Sequence, residues 1–307
     1  MELRQLEIFE AVAEAESFTA AAERLGYVQS SVSANILALE RELGVPLFDR
    51  LGRRVRLTDA GLKLLPYARQ MRQVVRAAKS AATDDTPGGR LAVGACESPG
   101  TYRLPRLLAL MRERYPAIDM HVSVPLTGEE RRAALRSGQI DVAMALDEQD
   151  DPDEFEVWEL RREPIHLIFP PNHPLAQKPE WPPSEWATYP YLATESGGYR
   201  ARFEAYLARN GVAKAPVIEL GSVELIKQCV MAGLGYGVLP VMTVEQEVAH
   251  GLLVTRPWPA SSEFMSLWLV RYKDRWMGPA LAAFWETAIE WAGAFSEANG
   301  LISRRIV

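Results

Sequence analysis

Hydrogen-bonding side chains are concentrated between residues 29 and 35 of the chain. Gln29 has the amide that pairs with adenine N6 and N7, and Ser30 and Ser33 carry hydroxyls that contact bases or phosphates. Residues 47–76 hold eight Lys or Arg against two acids, although the whole chain has a net charge of −6. This chemistry indicates a small nucleic-acid-binding module on an acidic remainder, with an arginine-rich solvated surface as the alternative interpretation.

Two helices and a tight turn are predicted to position these side chains. Thr19 is the expected N-cap of a short helix that stops at Gly26, and a second helix begins near Gln29. Apolar residues of this second helix are spaced 4, 3 and 4 along one face, at Val32, Ile36, Leu39 and Leu43. The polar side chains of its first turn point away from that face, which is typical of a helix-turn-helix whose second helix enters the major groove.

A β-hairpin wing is predicted over residues 47–57, around a basic turn that contains Gly52. Its arginines are placed to hold phosphates or probe the minor groove. The predicted DNA-binding residues are Gln29, Ser30, Ser33, Ala34, Asn35, Arg50, Arg53 and Arg54.

A long helix follows, capped by Thr58 and extending to about Thr83. A heptad-like stripe runs along it, formed by Leu64, Ala68, Met71, Val75, Ala78 and Ala82. The stripe favours a dimerisation helix; packing of the helix on the core of its own domain is the alternative. The predicted boundaries are 1–58 for the DNA-binding domain, 59–89 for the linker helix and hinge, and 90–307 for the regulatory domain.

The remainder alternates strands and helices, which predicts an α/β domain with two doubly wound subdomains. We assign residues 90–162 and 268–307 to one half and 163–267 to the other, with crossings near 161–165 and 266–270. Ligands of such sheets lie where strands end and helices begin. The predicted effector-binding residues are Ser98, Thr101, Thr127, Gly128, Gly198, Arg200 and Ser222. Backbone N–H groups there favour a small anion, and Arg200 is the expected carboxylate clamp.

Several runs of the sequence resemble the LysR-type transcriptional regulators. They are FTAAAERL at 18–25, QSSVS at 29–33, LERELGVPLFDR at 39–50, LTDAG at 57–61, RLPRLL at 103–108, LRSGQIDVA at 135–143 and VMAGLGYGVLP at 230–240. Many members carry Arg where this chain has Ala34. The resemblance implies a winged helix-turn-helix, a dimerising linker helix and an effector domain similar to periplasmic solute-binding proteins. Ser98 and Thr127 match polar positions that commonly line the effector cleft of the family.

The sequence therefore predicts a gene regulator, and a solute-binding protein without a gene-control role is the alternative. The expected partners are a partly palindromic DNA duplex, a small anionic effector, RNA polymerase, and further copies of the chain in a homodimer or homotetramer. No signal peptide or apolar span is visible, so a cytoplasmic location without membrane contact is expected.

No enzyme activity, cofactor or metal site is predicted, because the four histidines have no ligand-type spacing and no nucleotide-binding or nucleophile motif is present. Cys96 and Cys229 are expected to be ordinary thiols, with a redox pair as the alternative.

Overall fold

The computed structural model describes residues 1–51, 54–81, 87–147, 150–178, 183–186, 188–194, 198–212, 216–257, 264–299 and 304–305. Its first six elements are α1 (Leu3–Ala15), α2 (Phe18–Leu25), α3 (Gln29–Leu43), β1 (Phe48–Leu51), β2 (Arg54–Leu57) and α4 (Asp59–Ala81). They form a helix-turn-helix followed by an antiparallel hairpin, as the sequence predicted.

A small apolar core holds the three N-terminal helices together. Phe9, Val32, Ile36 and Leu39 are all fully buried there, and the Phe9 and Phe48 rings lie 5.4 Å apart. Gly26 ends α2 with φ of 70°, a left-handed conformation that glycine adopts without strain. The orientation of α3 is therefore fixed by its buried stripe.

The start of α2 differs from the prediction. Its N-cap is Ser17, whose hydroxyl accepts from the backbone N–H of Ala20 at 3.3 Å, so Thr19 lies inside the helix. Thr58 caps α4 as predicted, because its hydroxyl accepts from the N–H of Gly61 at 3.1 Å.

The predicted stripe of the linker helix α4 is buried at some positions and exposed to solvent at others. Ala68 is buried and Leu64 is half-buried, and both pack on the core of the DNA-binding domain. The alternative interpretation thus holds for this part of the stripe. Met71 of the predicted stripe is exposed, and it forms an exposed stripe with Tyr67 and Val74, at spacings of 4 and 3. Ala82, the last residue of the predicted stripe, lies outside the described residues.

The regulatory domain begins with one α/β half. Its elements are β3 (Gly89–Ala95), α5 (Glu97–Tyr102), α6 (Leu104–Arg114), β4 (Ile118–Ser123), α7 (Gly128–Ser137), β5 (Val142–Leu146) and β6 (Phe155–Phe169). Strands β4, β3 and β5 are parallel neighbours, and every residue of β5 is buried because helices cover both faces. This half confirms the predicted α/β class.

The second half contains its own sheet. Its elements are α8 (Pro183–Trp186), β7 (Tyr191–Thr194), α9 (Gly198–Arg209), β8 (Val217–Leu220), α10 (Val223–Met231), β9 (Tyr236–Pro240), α11 (Glu245–Ala249) and β10 (Val254–Pro257). The chain then returns through β11 (Phe264–Tyr272), α12 (Pro279–Asn299) and β12 (Arg304–Arg305).

The crossings between the halves are made by long strands. Strand β6 pairs with β11 up to Pro164 and with β9 from Ile165, which agrees with the predicted crossing at 161–165. The prediction of 266–270 for the second crossing lies in β11, where residues 264–266 pair with β6 beside its own crossing and residues 267–270 pair with β5 of the first half.

Candidate DNA interface and effector cleft

The first turn of α3 presents the predicted polar side chains on the surface of the DNA-binding domain. Gln29, Ser30 and Ala34 are exposed, Ser33 is half-buried, and the opposite side of the helix is buried. The Gln29 amide donates to the Ser33 hydroxyl at 2.8 Å, which holds it along the helix surface.

Asn35 has a partner within its own helix. Its side-chain amide donates to the carbonyl of Ser31 at 2.9 Å, and the side chain is half-buried. One of its donors is therefore engaged away from solvent. Leu37 and Val28, which the sequence analysis did not select, are exposed at 42% and 68% on the same module.

The hairpin places the predicted arginines on both strands of the wing. Arg50 pairs with Val55, and Leu51 pairs with Arg54, across β1 and β2. Arg53 lies outside the described residues, and of Arg50 and Arg54 the structure describes only the backbone.

Arg69 links the DNA-binding domain to the regulatory domain. It lies on α4, donates to the carbonyl of Ser137 at 2.9 Å, and lies 3.7 Å from the Glu10 carboxylate on α1. Arg72 contacts the same carboxylate at 2.5 Å. Ser137 is the last residue of α7, so Arg69 also meets the negative end of that helix. A cavity of about 530 Å³ at this junction is lined by both arginines, Glu10 and Asp141.

The predicted effector residues of the first half surround α5 and the start of α7. Ser98 is buried on α5, whereas Thr101 is exposed. Thr127 caps α7, and the Glu130 carboxylate accepts a hydrogen bond from the Thr127 backbone N–H at 2.9 Å. Hydrogen bonds from Thr127 lower the pKa of Glu130, so the helix end beside Gly128 already holds an ionised carboxylate.

Carboxylates of the first half also meet the helix starts of the second half. Glu97, the first residue of α5, accepts from the Val223 N–H of α10 at 3.0 Å, beside the cap Ser222. Asp147 lies beside Gly198 at the start of α9, because a Cβ added there would be 3.6 Å from its carboxylate oxygen.

Asp147 is itself held by the second half. It forms an ion pair with Arg202 of α9, and Arg202 also donates to the carbonyl of Phe264 at 3.1 Å. Burial raises the pKa of Asp147, while Arg202 acts to lower it. The two halves are therefore joined by charged contacts at the place where the sequence predicted an external anion.

Arg200 does not fit the predicted role of a carboxylate clamp. Its guanidinium bonds to Glu204 at 2.8 Å, to Glu219 at 2.7 Å and to the carbonyl of Thr194 at 2.6 Å. All three partners belong to the second half. The sequence analysis missed this because it considered Arg200 without Glu204, four residues later on the same helix face.

Lys227 and Arg103 are two buried cations that the sequence analysis did not select. Lys227 lies 2.7 Å from Glu247 and bonds to the Tyr102 hydroxyl of the other half at 3.3 Å. Burial acts to lower the pKa of Lys227, but hydrogen bonds to Glu247 and Glu224 raise it above the ordinary value.

Arg103 joins strand β6 to the second half. Its guanidinium bonds to Glu163, which is fully buried, and to Glu245 on α11. Arg161 lies 2.9 Å from the same Glu163 carboxylate. The charges around the crossing strand are thus mutually compensated.

Among the described residues, neither cysteine forms a disulfide, and no group of three His, Cys, Asp or Glu is placed to hold a metal ion. Of the described helices, none has the length and apolarity needed to cross a bilayer.

Comparisons with known proteins agree with this architecture. Residues 3–62 match the family "Bacterial regulatory helix-turn-helix protein, lysR family", and residues 84–293 match "LysR substrate binding domain". The chain is 36% identical over 286 residues to the uncharacterized HTH-type transcriptional regulator YwqM of Bacillus subtilis. The aligned region covers 92% of this chain and 97% of that protein.

Two further matches also extend over most of both chains. A probable RuBisCO transcriptional regulator of Trichormus variabilis is 31% identical over 292 residues, covering 92% of this chain and 86% of that protein. A full-length OxyR variant from Pseudomonas aeruginosa superposes with a TM-score of 0.73 at 24% identity, covering 95% of this chain and 94% of that one.

Proposed function

The chain belongs to the LysR-type transcriptional regulators, and from that premise we propose that it reads a partly palindromic DNA duplex as a homodimer or homotetramer. It is a transcriptional regulator with a helix-turn-helix and an effector-binding domain. A solute-binding protein without a gene-control role leaves the helix-turn-helix at 3–62 unexplained. The observation that carries the DNA-reading proposal is the exposed polar first turn of α3 on a buried apolar stripe.

In this proposal the first turn of α3 enters the major groove. The Gln29 amide bonds to adenine, and Ser30 and Ser33 contact bases or phosphates. Ala34 offers only a methyl group, which suits contact with a thymine methyl. Asn35 acts through its remaining hydrogen-bonding groups, since one donor already bonds to the helix backbone.

The wing is proposed to contact the flanking backbone through Arg50, Arg53 and Arg54. Its antiparallel register supports this, because it brings basic residues of both strands to one short turn. Contacts of this kind add affinity for all sequences and depend on salt.

Dimerisation is proposed to use the exposed stripe of α4, formed by Tyr67, Met71 and Val74. These side chains are 64%, 41% and 42% exposed, and their spacing is that of a helix–helix seam. A dimer about a twofold axis presents two copies of α3, so half-sites are expected about 10 bp or a multiple apart.

The effector is proposed to bind between the halves of the regulatory domain. Ser98, Thr101, Thr127, Gly128, Gly198 and Ser222 are the proposed lining; Arg200 is not retained because its partners occupy it. An effector that binds more tightly at one separation of the two halves favours that separation. The change alters how neighbouring subunits pack, and this in turn alters the distance between their DNA-binding domains. We propose that this regulation takes place in the cytoplasm, with RNA polymerase as a further partner.

A gel shift with the DNA that flanks the chain's own gene tests this function. We expect a discrete complex that survives excess unrelated duplex, and footprints of two half-sites on one face of the DNA. A matched variant, Gln29→Ala, should form the discrete complex about 1–3 kcal/mol more weakly and keep the same non-specific binding. No discrete complex with the wild-type chain, or a single asymmetric half-site, contradicts the proposal.

A further inference from the structure

The cavity between the DNA-binding domain and the regulatory domain has a volume of about 530 Å³. Helices α1 and α4 line one side of it, through Glu10, Arg69 and Arg72. The regulatory domain lines the other side with the start of β3, the turn after α7 and the start of α12. Among the described residues that line it, none belongs to the proposed effector cleft. Sites for small molecules typically have volumes of about 300–1,000 Å³, so this junction cavity is large enough to be one.

Glu10 brings an incompletely paired carboxylate to the junction cavity. Its side chain is only 2% exposed, and its Oε1 lies 2.5 Å from Arg72 and 3.7 Å from Arg69. Its buried Oε2 has no hydrogen-bond partner among the described residues. Burial raises the pKa of Glu10, although Arg72 and Arg69 act to lower it. A buried acceptor without a donor costs free energy, so a ligand N–H that reaches Oε2 forms a bond that the protein lacks.

Arg90 supplies the opposite charge from the regulatory domain. It lies on β3, is exposed and lines the same cavity. No carboxylate of the described residues forms an ion pair with its guanidinium. Burial lowers the pKa of Arg69, and the charges of Arg72 and Arg90 add to this shift, so Arg90 acts on the same charged group as Glu10 does. A guanidinium of this kind binds a ligand carboxylate through two parallel hydrogen bonds.

Apolar side chains complete the lining of the junction cavity. Trp276, Pro279 and Leu281 lie just before α12 and in its first turn. Trp276 is half-buried and Leu281 is 5% exposed. A buried acceptor, a guanidinium on the opposite domain and an apolar surface match a small molecule that carries an ammonium group, a carboxylate and an apolar side chain.

We propose that the junction cavity is a second ligand site, separate from the effector cleft, and that it binds an amino acid with an apolar side chain. The ammonium group bonds to Glu10, the carboxylate bonds to Arg90, and the side chain packs on Trp276 and Leu281. Ordered waters fill the remaining polar space. Because both domains line the cavity, a bound amino acid stabilises the relative placement of the DNA-binding and regulatory domains that the cavity requires.

Calorimetry of the full-length wild-type chain with L-leucine, L-phenylalanine and L-tryptophan tests the site. At least one of the three should bind, with a dissociation constant in the millimolar range or below. Its analogue without the ammonium group (isocaproate, hydrocinnamate or indolepropionate) should bind roughly tenfold more weakly or not at all, because Oε2 of Glu10 then stays without a donor.

Two variants locate the bound amino acid. Glu10→Gln and Arg90→Ala should each weaken binding by roughly tenfold or more, since each removes one charged partner of the ligand. Arg112→Ala is the matched control for Arg90→Ala, because Arg112 is also exposed, bonds to the Pro116 carbonyl and does not line the cavity. Arg90 is exposed, so Arg90→Ala keeps the test available if Glu10→Gln disturbs the packing of α1.

The proposal is overturned if the wild-type chain binds none of the three amino acids, or if Arg90→Ala binds as tightly as the wild-type chain or Arg112→Ala. Ser98→Ala should retain the binding, and a loss in that variant overturns the proposal by placing the amino acid in the effector cleft. The measurement needs no DNA, so its failure is distinct from a failed gel shift with the wild-type chain.

Discussion

The DNA-reading surface and the effector cleft of this chain are built in opposite ways. The first two turns of α3 collect their polar side chains from seven consecutive residues and present several of them to solvent. The cleft collects Glu97, Asp147 and Lys227 from separate segments, and each already has a partner in the other half. The proposed DNA-reading surface is thus open to solvent, whereas these charged groups of the proposed cleft already have protein partners.

Individual ion pairs of the chain also differ in how strongly their charges are buried. The ion pair of Arg24 with Glu14 in the DNA-binding domain has side chains 49% and 30% exposed. At the crossing strand, Arg103 is 10% exposed and its partner Glu163 is fully buried. Solvent screening makes the first kind of pair weak, while an unpaired partner of the second kind is costly.

The largest expected effect on stability is that of replacing Arg103, which belongs to the buried kind of ion pair. Arg103→Ala leaves Glu163 buried with one cation fewer, which should destabilise the regulatory domain by about 3–5 kcal/mol. Urea unfolding followed by tryptophan fluorescence measures it, because all eight tryptophans lie beyond residue 157. Arg114→Ala removes the exposed pair with Glu290 and should leave the midpoint unchanged. Equal midpoints for the two variants contradict the contrast.

Assembly through α4 is the second test. Met71→Asp buries a charge in the proposed seam, at a cost of about 1–3 kcal/mol, so the dimer dissociation constant should rise by roughly tenfold to a hundredfold. Leu62→Asp is the control: Leu62 is also exposed, but it lies about two and a half turns earlier, on the other side of the helix. Sedimentation that shows the same mass for both variants places the interface elsewhere.

The smallest expected effect concerns the link between the two regions. Arg69→Met removes the bond to the Ser137 carbonyl, worth about 1 kcal/mol, so the amides of Gly138 and Gln139 should exchange roughly fivefold faster. Arg72→Met removes a contact with the same Glu10 but none with Ser137. Equal exchange in the two variants shows that Arg69 does not join the domains.

Local patterns predicted which residues at the start and middle of α3 are buried and which are exposed. Val32, Ile36 and Leu39 are buried as their spacing indicates, and Gln29 and Ser30 are exposed on the opposite side. The helical period alone determines these positions, because the contacts lie within one helix and its neighbours in sequence. The same reasoning gave the α/β class and the first crossing between the halves.

The cleft was predicted only in outline. Its segments were found from helix starts, but the partners of those starts come from distant parts of the chain. Nothing in the local sequence shows that Glu97 meets Val223, whereas the Arg200–Glu204 spacing was visible on the same helix. The predicted stripe of α4 is partly buried in its own domain for a related reason. Periodicity identified the helix as apolar along one face, but it does not show which side of the helix the DNA-binding domain covers.

The most direct test of the central claim is the selection of binding sites from random duplexes by the wild-type chain and by Gln29→Ala. The wild-type chain should recover a partly palindromic site with half-sites about 10 bp or a multiple apart. Gln29→Ala should lose about 1–3 kcal/mol and the preference at one symmetry-related base pair, with the others retained. Arg53→Ala should instead weaken all sequences equally. An asymmetric site, or a Gln29→Ala loss spread over every position, contradicts the assignment of α3 as the reader.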